Sequence, residues 1–151
     1  MSARRKIPSR LLTLAFLVLA ACETQTTAPA GPAPPGAAFA TPYGTRVYQV
    51  SDAVFEVVPF PLAGTDEYWC GAAEYARRRL GADWSDQLYI VRGVGRSAAA
   101  GGRSSVQFTL TPEAVGVTPI DLQVRTGFKV GDHQSVTRGH GLCPVFPPFV
   151  V

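Results

Sequence analysis

The first part of the chain is a basic stretch followed by a short, almost wholly apolar run. Four of the first ten residues are Lys or Arg, and Leu11–Ala21 then contains one polar residue, Thr13. A basic start before a short apolar core is typical of a secretory signal. The apolar run is too short to cross a bilayer as a helix, which takes roughly 20 residues. The pattern therefore predicts export, with residues 1–21 as a signal peptide.

A segment with almost no large apolar side chains comes next. Glu23–Gly44 contains five prolines and many Ala and Thr residues. Such a composition does not bury enough apolar surface to form a core, and proline-rich chain behaves as a semi-rigid spacer. We interpret residues 22–44 as a disordered tether and residues 45–151 as one globular domain.

The domain starts with two segments rich in β-branched and aromatic residues. These are Thr45–Val50 and Ala53–Val58. Ser51 and Asp52 lie between them and are common turn residues. The two segments therefore predict a β-hairpin.

The segment Asp66–Leu80 has the features of an α-helix. Thr65 or Asp66 is a suitable N-terminal cap, and Gly81 follows as a left-handed stop. Three arginines occupy the last turn, where the helix dipole favours positive charge. Helical spacing places four apolar residues on one face: Trp69, Ala73, Ala76 and Leu80.

Two later segments predict further strands. Leu88–Val91 is apolar throughout, and Val106–Leu110 alternates apolar and polar residues as a strand with one buried face does. The glycine-rich Gly93–Ser105 predicts a long hairpin loop, because a strand and not a helix follows it. Weaker strand patterns include Leu122, Val124, Phe128 and Val130. Together the elements predict an α+β domain with one main helix on a mainly antiparallel sheet.

The C-terminal tail, Cys143–Val151, contains three prolines. Proline lacks the N–H group that a central strand needs, so the tail is not expected to be one. Exposed aromatic side chains are unfavourable in a soluble domain. We therefore expect Phe146 and Phe149 to dock on the body of the domain.

The end of the apolar run has a specific motif. The tetrapeptide Leu19-Ala20-Ala21-Cys22 resembles the lipobox of bacterial lipoproteins. This resemblance implies cleavage before Cys22, diacylglycerol on the Cys22 sulfur and, often, a further acyl chain on the new amino terminus. It also implies a location in the cell envelope, anchored to the inner or outer membrane and facing the periplasm. The expected membrane contact is through this lipid.

The charge of the mature chain differs from that of the whole chain. Four of the fourteen Lys and Arg residues, and none of the eleven Asp and Glu residues, precede Cys22. The remaining ten basic and eleven acidic residues give a net charge of −1. Binding to nucleic acid needs a basic face, so we expect no nucleic-acid partner.

Two cysteines remain once Cys22 carries lipid. Cys70 and Cys143 would then form one disulfide in an oxidising compartment. The chain-entropy model assigns such a long loop about 4 kcal/mol of stabilisation. The cysteine count therefore predicts a disulfide-closed domain.

One alternative is enzymatic. Cys70 lies near the start of a helix, where the dipole lowers a thiol pKa, and His133 follows later in the chain. This order resembles that of papain-like and cell-wall cysteine peptidases. The resemblance implies Cys70 as nucleophile and His133 as base, with Asp132 or Gln134 orienting the ring. The signature around the papain cysteine is absent.

A second alternative is a metal site. Cys70, His133, His140 and Cys143 would supply two sulfurs and two imidazole nitrogens, a donor set that suits tetrahedral zinc. Oxidation competes for both sulfurs. We therefore expect no cofactor, and this metal site stays an alternative.

The domain as a whole resembles small envelope lipoproteins of proteobacteria that have no assigned activity. The resemblance lies in the lipobox, the size and the layout. The cysteine count, with one residue for lipid and two for a bridge, favours a non-enzymatic structural or interaction domain, and the expected partner is an envelope protein or the cell wall.

Overall fold

The computed structural model describes residues 39–122 and 127–145. Within these residues six strands form one antiparallel sheet in the order β1-β2-β3-β5-β4-β6. The elements in chain order are β1 Phe39–Ala40, β2 Arg46–Gln49, β3 Phe55–Val58, α1 Thr65–Arg79, β4 Gln87–Arg96, β5 Ser104–Thr109, a 3₁₀ helix Pro112–Val115, β6 His133–Ser135 and α2 Val136–His140. The protein therefore has the predicted α+β architecture, with one main helix and an antiparallel sheet.

The predicted N-terminal hairpin is confirmed. β2 and β3 pair antiparallel, with Val47 opposite Val57. Their connection is longer than a two-residue turn, because the Val50 N–H donates to the Val54 carbonyl at 2.9 Å. Val54 is buried, so the chain turns inward before β3 begins.

The sheet begins further towards the N-terminus than residue 45. β1 lies in the segment interpreted as tether, and it pairs with β2. The Phe39 ring lies 5.6 Å from that of Tyr75, and the Arg79 guanidinium lies 5.4 Å from the Phe39 ring centre. The Phe39 side chain thus attaches this part of the segment to α1.

The main helix, Thr65–Arg79, begins and ends one residue earlier than the predicted Asp66–Leu80. Gly64 is the N-cap residue, and no side chain caps the helix. The expectation that Thr65 or Asp66 is the cap is wrong, because both lie inside the first turn. Gly81 has φ +68°, the left-handed conformation expected at a helix end.

The core lies between α1 and the sheet. The Trp69 ring packs edge-on against Phe108 of β5 at 5.0 Å. Gly71 lies against β2 and β3, since a Cβ there would be 2.6 Å from the Thr45 methyl and 2.8 Å from Val57. The absence of a side chain at position 71 therefore sets how closely the helix approaches the sheet.

The hairpin between β4 and β5 is present, but its loop is shorter than Gly93–Ser105. β4 continues to Arg96 and pairs there with Ser104. Register shifts within β4 let this glycine-rich segment stay in the sheet. Glycine is needed at position 93, because a Cβ there would collide with the Phe128 carbonyl, which lies against this part of β4.

The weaker strand predictions near residue 128 are wrong. Leu122, Phe128 and Val130 lie outside strands, and the neighbour of β4 at this edge is β6. The Phe128 ring packs against Tyr68 at 5.0 Å, so its apolar character reflects burial against the helix. Other predictions fall outside the described residues: the signal peptide, Cys22, most of the tether, Val124, Phe146 and Phe149.

Candidate functional site

A disulfide joins the main helix to the segment after α2. Cys70 lies in the second turn of α1, Cys143 follows α2, and their Cα atoms are 4.9 Å apart. The predicted pairing is therefore confirmed. The two helices come close because Gly139 lacks a side chain. A Cβ there would be 3.1 Å from the Trp69 carbonyl oxygen and 3.2 Å from Ala73.

A buried carboxylate lies beside this disulfide. Glu74 is one turn beyond Cys70 on α1, and its side chain is 2% exposed. Its Oε1 lies 2.9 Å from Nε2 of His140, and its Oε2 lies 2.7 Å from Nε of Arg78. Ligand atoms of Glu74, His140 and Cys143 all lie within 4.8 Å of one another. We refer to Cys70, Glu74, His140 and Cys143 as the Glu74 cluster.

An aromatic and cationic rim borders the Glu74 cluster. The Trp84 ring stands edge-on to His140 at 5.1 Å, and the Arg77 guanidinium lies 4.3 Å from the centre of the Trp84 ring. The Thr137 hydroxyl holds Trp84 by donating to its carbonyl at 2.8 Å. A pocket of about 260 Å³ opens at this rim, lined by Glu74, Arg77, Arg78, Trp84 and His140. The cluster is therefore reachable from solvent through the half-exposed His140.

The Glu74 cluster combines three types of donor atom. It brings a carboxylate oxygen, an imidazole nitrogen and two sulfurs to one place. In the bridged form the sulfurs are bonded to each other and are neither nucleophiles nor thiolate ligands. What remains is polar contact: the Glu74 carboxylate forms an ion pair with Arg78 on one side and lies against the His140 imidazole on the other.

The second histidine lies in a different setting. His133 begins β6, where its ring stacks on Tyr89 at 5.0 Å and its Nε2 lies 3.7 Å from Asp121. In the part of the chain that the structure describes, the histidine beside the disulfide is His140. The pairing of a free Cys70 thiol with His133 thus finds no support there.

The two residues considered as orienting groups for His133 lie on either side of it. Asp132 is buried, and its Oδ1 accepts the backbone N–H of His133 at 2.8 Å. Gln134 is also buried and belongs to β6. Both residues therefore belong to the packed edge of the sheet.

The predicted metal set is brought together only in part. Cys70, Cys143 and His140 lie together. Among the described residues, the fourth donor beside them is Glu74 and not His133. Glu74 is not among the residues predicted from the sequence. The available signal was a single acid among small apolar residues, four positions after a cysteine on the same helix.

A second buried carboxylate lies on the other face of the sheet. Glu56 of β3 is 3% exposed. Its Oε1 accepts from Arg92 at 2.6 Å and from the Ser105 hydroxyl at 2.9 Å, and its Oε2 accepts from Ser97 at 2.6 Å. Gln107 adds a longer contact of 3.4 Å. Both carboxylate oxygens are engaged, so this cluster is a closed structural network.

A larger pocket lies at the start of α1. It has a volume of about 430 Å³ and is lined by Pro59, Phe60, Pro61, Leu62, Ala63, Tyr68, Arg103 and Ser104. Burial raises the pKa of Tyr68, and the positive charge of Arg103 opposes this shift in part. Arg103 also donates to the Pro59 carbonyl. None of the described residues that line this pocket has a carboxylate or an imidazole group.

Comparisons with known proteins give no relative. No family model, no curated protein and no solved structure matches the chain. Among the residues that the structure describes, no helix combines the length and the apolar character that a membrane span requires. The site must therefore be interpreted from its own geometry.

Proposed function

We propose that the protein is an exported lipoprotein of the bacterial envelope whose disulfide-closed domain acts by binding and not through a cysteine nucleophile. The basic, apolar and lipobox segments at residues 1–22 motivate the anchor. The cell wall or another envelope protein is the proposed partner. Residues 23–38 would give the domain reach from the membrane.

The observation that carries this proposal is the pairing of Cys70 with Cys143. Disulfides persist in oxidising compartments, including the bacterial periplasm, and are rare in the cytosol. The chain has three cysteines, so the pair leaves Cys22 as the single one available for acylation. The pairing thus supports both export and lipidation.

The same pairing argues for binding over cysteine catalysis. A nucleophilic cysteine must be a free thiolate with a base in reach. The sulfur of Cys70 is bonded to Cys143, and His133 contacts Tyr89 and Asp121. The disulfide-bonded domain is therefore better suited to binding a partner on its surface than to catalysis by a cysteine thiol.

Metabolic labelling with a fatty-acid analogue tests the anchor. We expect the wild-type chain to be labelled and processed. The variant Cys22→Ala should lose all label and accumulate as precursor, because the acylated thiol is gone. The matched control is Cys143→Ala, which removes a different thiol and should remain labelled. Label on Cys22→Ala, or an unlabelled wild type, would refute the assignment.

The same preparations distinguish binding from thiol catalysis. Alkylation of the mature wild-type protein should find no free thiol without reductant and two with it. A single thiol that alkylates rapidly near neutral pH without reductant would instead favour the peptidase alternative.

A further inference from the structure

We propose that the Glu74 cluster binds a zinc ion when the Cys70–Cys143 disulfide is reduced. The sulfurs would then become thiolates. Together with His140 and Glu74 they make four ligands, and zinc in proteins takes sulfur, imidazole and carboxylate donors in tetrahedral sites. This inference does not depend on the lipid anchor.

The positions of the donor atoms suit one ion. Zinc–ligand bonds of about 2.0–2.3 Å place tetrahedral ligand atoms roughly 3.3–3.8 Å apart. The Glu74 Oε1 and His140 Nε2 are already 2.9 Å apart, and the donor atoms of Glu74, His140 and Cys143 lie within 4.8 Å of one another. These three donor atoms are therefore close to the spacing that one ion needs, and the fourth, the Cys70 sulfur, is bonded to the Cys143 sulfur. The two sulfurs separate when their bond breaks.

The charges around the cluster also suit a divalent cation. Two thiolates and the Glu74 carboxylate carry three negative charges against two on the ion. Arg78, 2.7 Å from Glu74, neutralises the remainder. Charge compensation matters here because Glu74 and Cys70 are each 2% exposed, and burying uncompensated charge is costly.

The chemistry needs a two-electron donor, which we assign to the class of dithiols. The donor breaks the sulfur–sulfur bond of the bridge by thiol–disulfide exchange and closes its own disulfide. Two electrons and two protons reach the sulfurs of Cys70 and Cys143. Zinc binding then releases these protons to solvent, since only thiolates are ligands. The reverse exchange, in which a disulfide of the same donor class accepts the two electrons of the thiolates, would re-form the bridge and release the ion. The Glu74 cluster would thus act as a redox-controlled zinc site.

Metal titration of the full chain tests this proposal. The protein carries Cys22→Ala, so that Cys70 and Cys143 are the only thiols, and is held in detergent and reduced with a phosphine. We expect one zinc per chain by elemental analysis. Cobalt in place of zinc should give thiolate-to-metal charge-transfer bands and intense visible bands of tetrahedral symmetry. The oxidised protein should bind neither ion.

Two ligand variants and one control make the assignment specific. His140→Ala and Glu74→Gln should each weaken zinc binding by at least about tenfold. Loss of a residue that only supports a metal ligand already lowers metal affinity by about tenfold or more, and loss of a ligand should cost no less. His133→Ala, which removes the other histidine, should leave zinc binding unchanged. Equal affinity in all variants would mean that the two thiols alone bind the ion, and would overturn the site.

Folding of the reduced chain is followed in parallel. The near-ultraviolet circular dichroism of the buried Trp69 reports whether α1 stays packed on the sheet. A reduced chain that regains this signal on adding zinc would support the proposal, because metal binding and folding are coupled. A reduced chain that takes up no zinc, with or without this signal, would refute it.

Discussion

Two glutamates of the domain are almost completely buried, and their partners give them different roles. Glu56 has both oxygens engaged, by Arg92 and Ser105 of its own sheet and by Ser97, which follows β4. Glu74 instead lies between Arg78 and the half-exposed His140, beside a pocket. A saturated carboxylate fixes structure, whereas one next to an exposed imidazole and two sulfurs retains ligand chemistry.

Replacing Glu56 tests its structural role. Glu56→Ala should lower the free energy of unfolding by about 2 kcal/mol, because it leaves hydroxyl donors and the Arg92 charge without an acceptor. We expect this loss of unfolding free energy to be smaller than for a fully buried ion pair, since Arg92 is 35% exposed. Urea unfolding measures the change. The control Glu113→Ala, at an exposed acid, should stay within about 0.5 kcal/mol, and equal effects would contradict the proposed network.

At the scale of the elements, helix α1 organises the molecule. One side of it packs on the sheet through Trp69, Gly71 and Tyr75, and the disulfide and Gly139 bring α2 against it. This double contact explains why burial extends without interruption from Tyr68 to Ala76. A helix packed on one side only would show a narrower apolar stripe.

The close approach of Gly71 to Thr45 can be tested with a substitution at Gly71 and a second substitution at Thr45 that should compensate for it. Gly71→Ala should destabilise the domain by about 1 kcal/mol, because overpacking costs about 1–3 kcal/mol and alanine recovers about 1 kcal/mol in helix propensity. Thr45→Ser removes the methyl that would be 2.6 Å from the new Cβ. The double variant should therefore be less destabilised than the two single changes summed. Strict additivity in thermal or urea unfolding would show that this contact does not limit the helix position.

For the whole molecule, the disulfide closes a long loop. The paired residues are 73 positions apart and enclose three of the six strands, β4, β5 and β6. The chain-entropy model assigns such a cross-link about 4 kcal/mol, by restricting the unfolded chain. This is a large share of the 5–15 kcal/mol that is usual for a domain.

Removing both sulfurs tests this contribution. The double variant Cys70→Ala, Cys143→Ala should lose about 4 kcal/mol of unfolding free energy in urea at neutral pH. Cys22→Ala is the control and should leave the unfolding midpoint unchanged, because residue 22 precedes the domain. A double variant as stable as the wild type would show that the bridge does not support the fold.

Much of the architecture could be predicted because local signals coincide with it. The β2–β3 hairpin, α1 and the Gly81 stop follow from β-branched segments, helical spacing and a left-handed glycine. The cysteine count led to the Cys70–Cys143 pair. The extent of β4 could not be predicted in this way, since glycines weaken a strand pattern even where a neighbouring backbone requires them.

Sequence alone therefore determined the fold class, the main helix and the disulfide, whose causes are local periodicity and simple counting. Only the tertiary structure decided which histidine lies beside the bridge and that Glu74 joins it. The reason is physical: the packing of α2 on α1 brings His140 to Glu74, although 66 positions separate them in the chain. A contact that depends on how two helices pack cannot be predicted from the local pattern of apolar and polar residues in either helix.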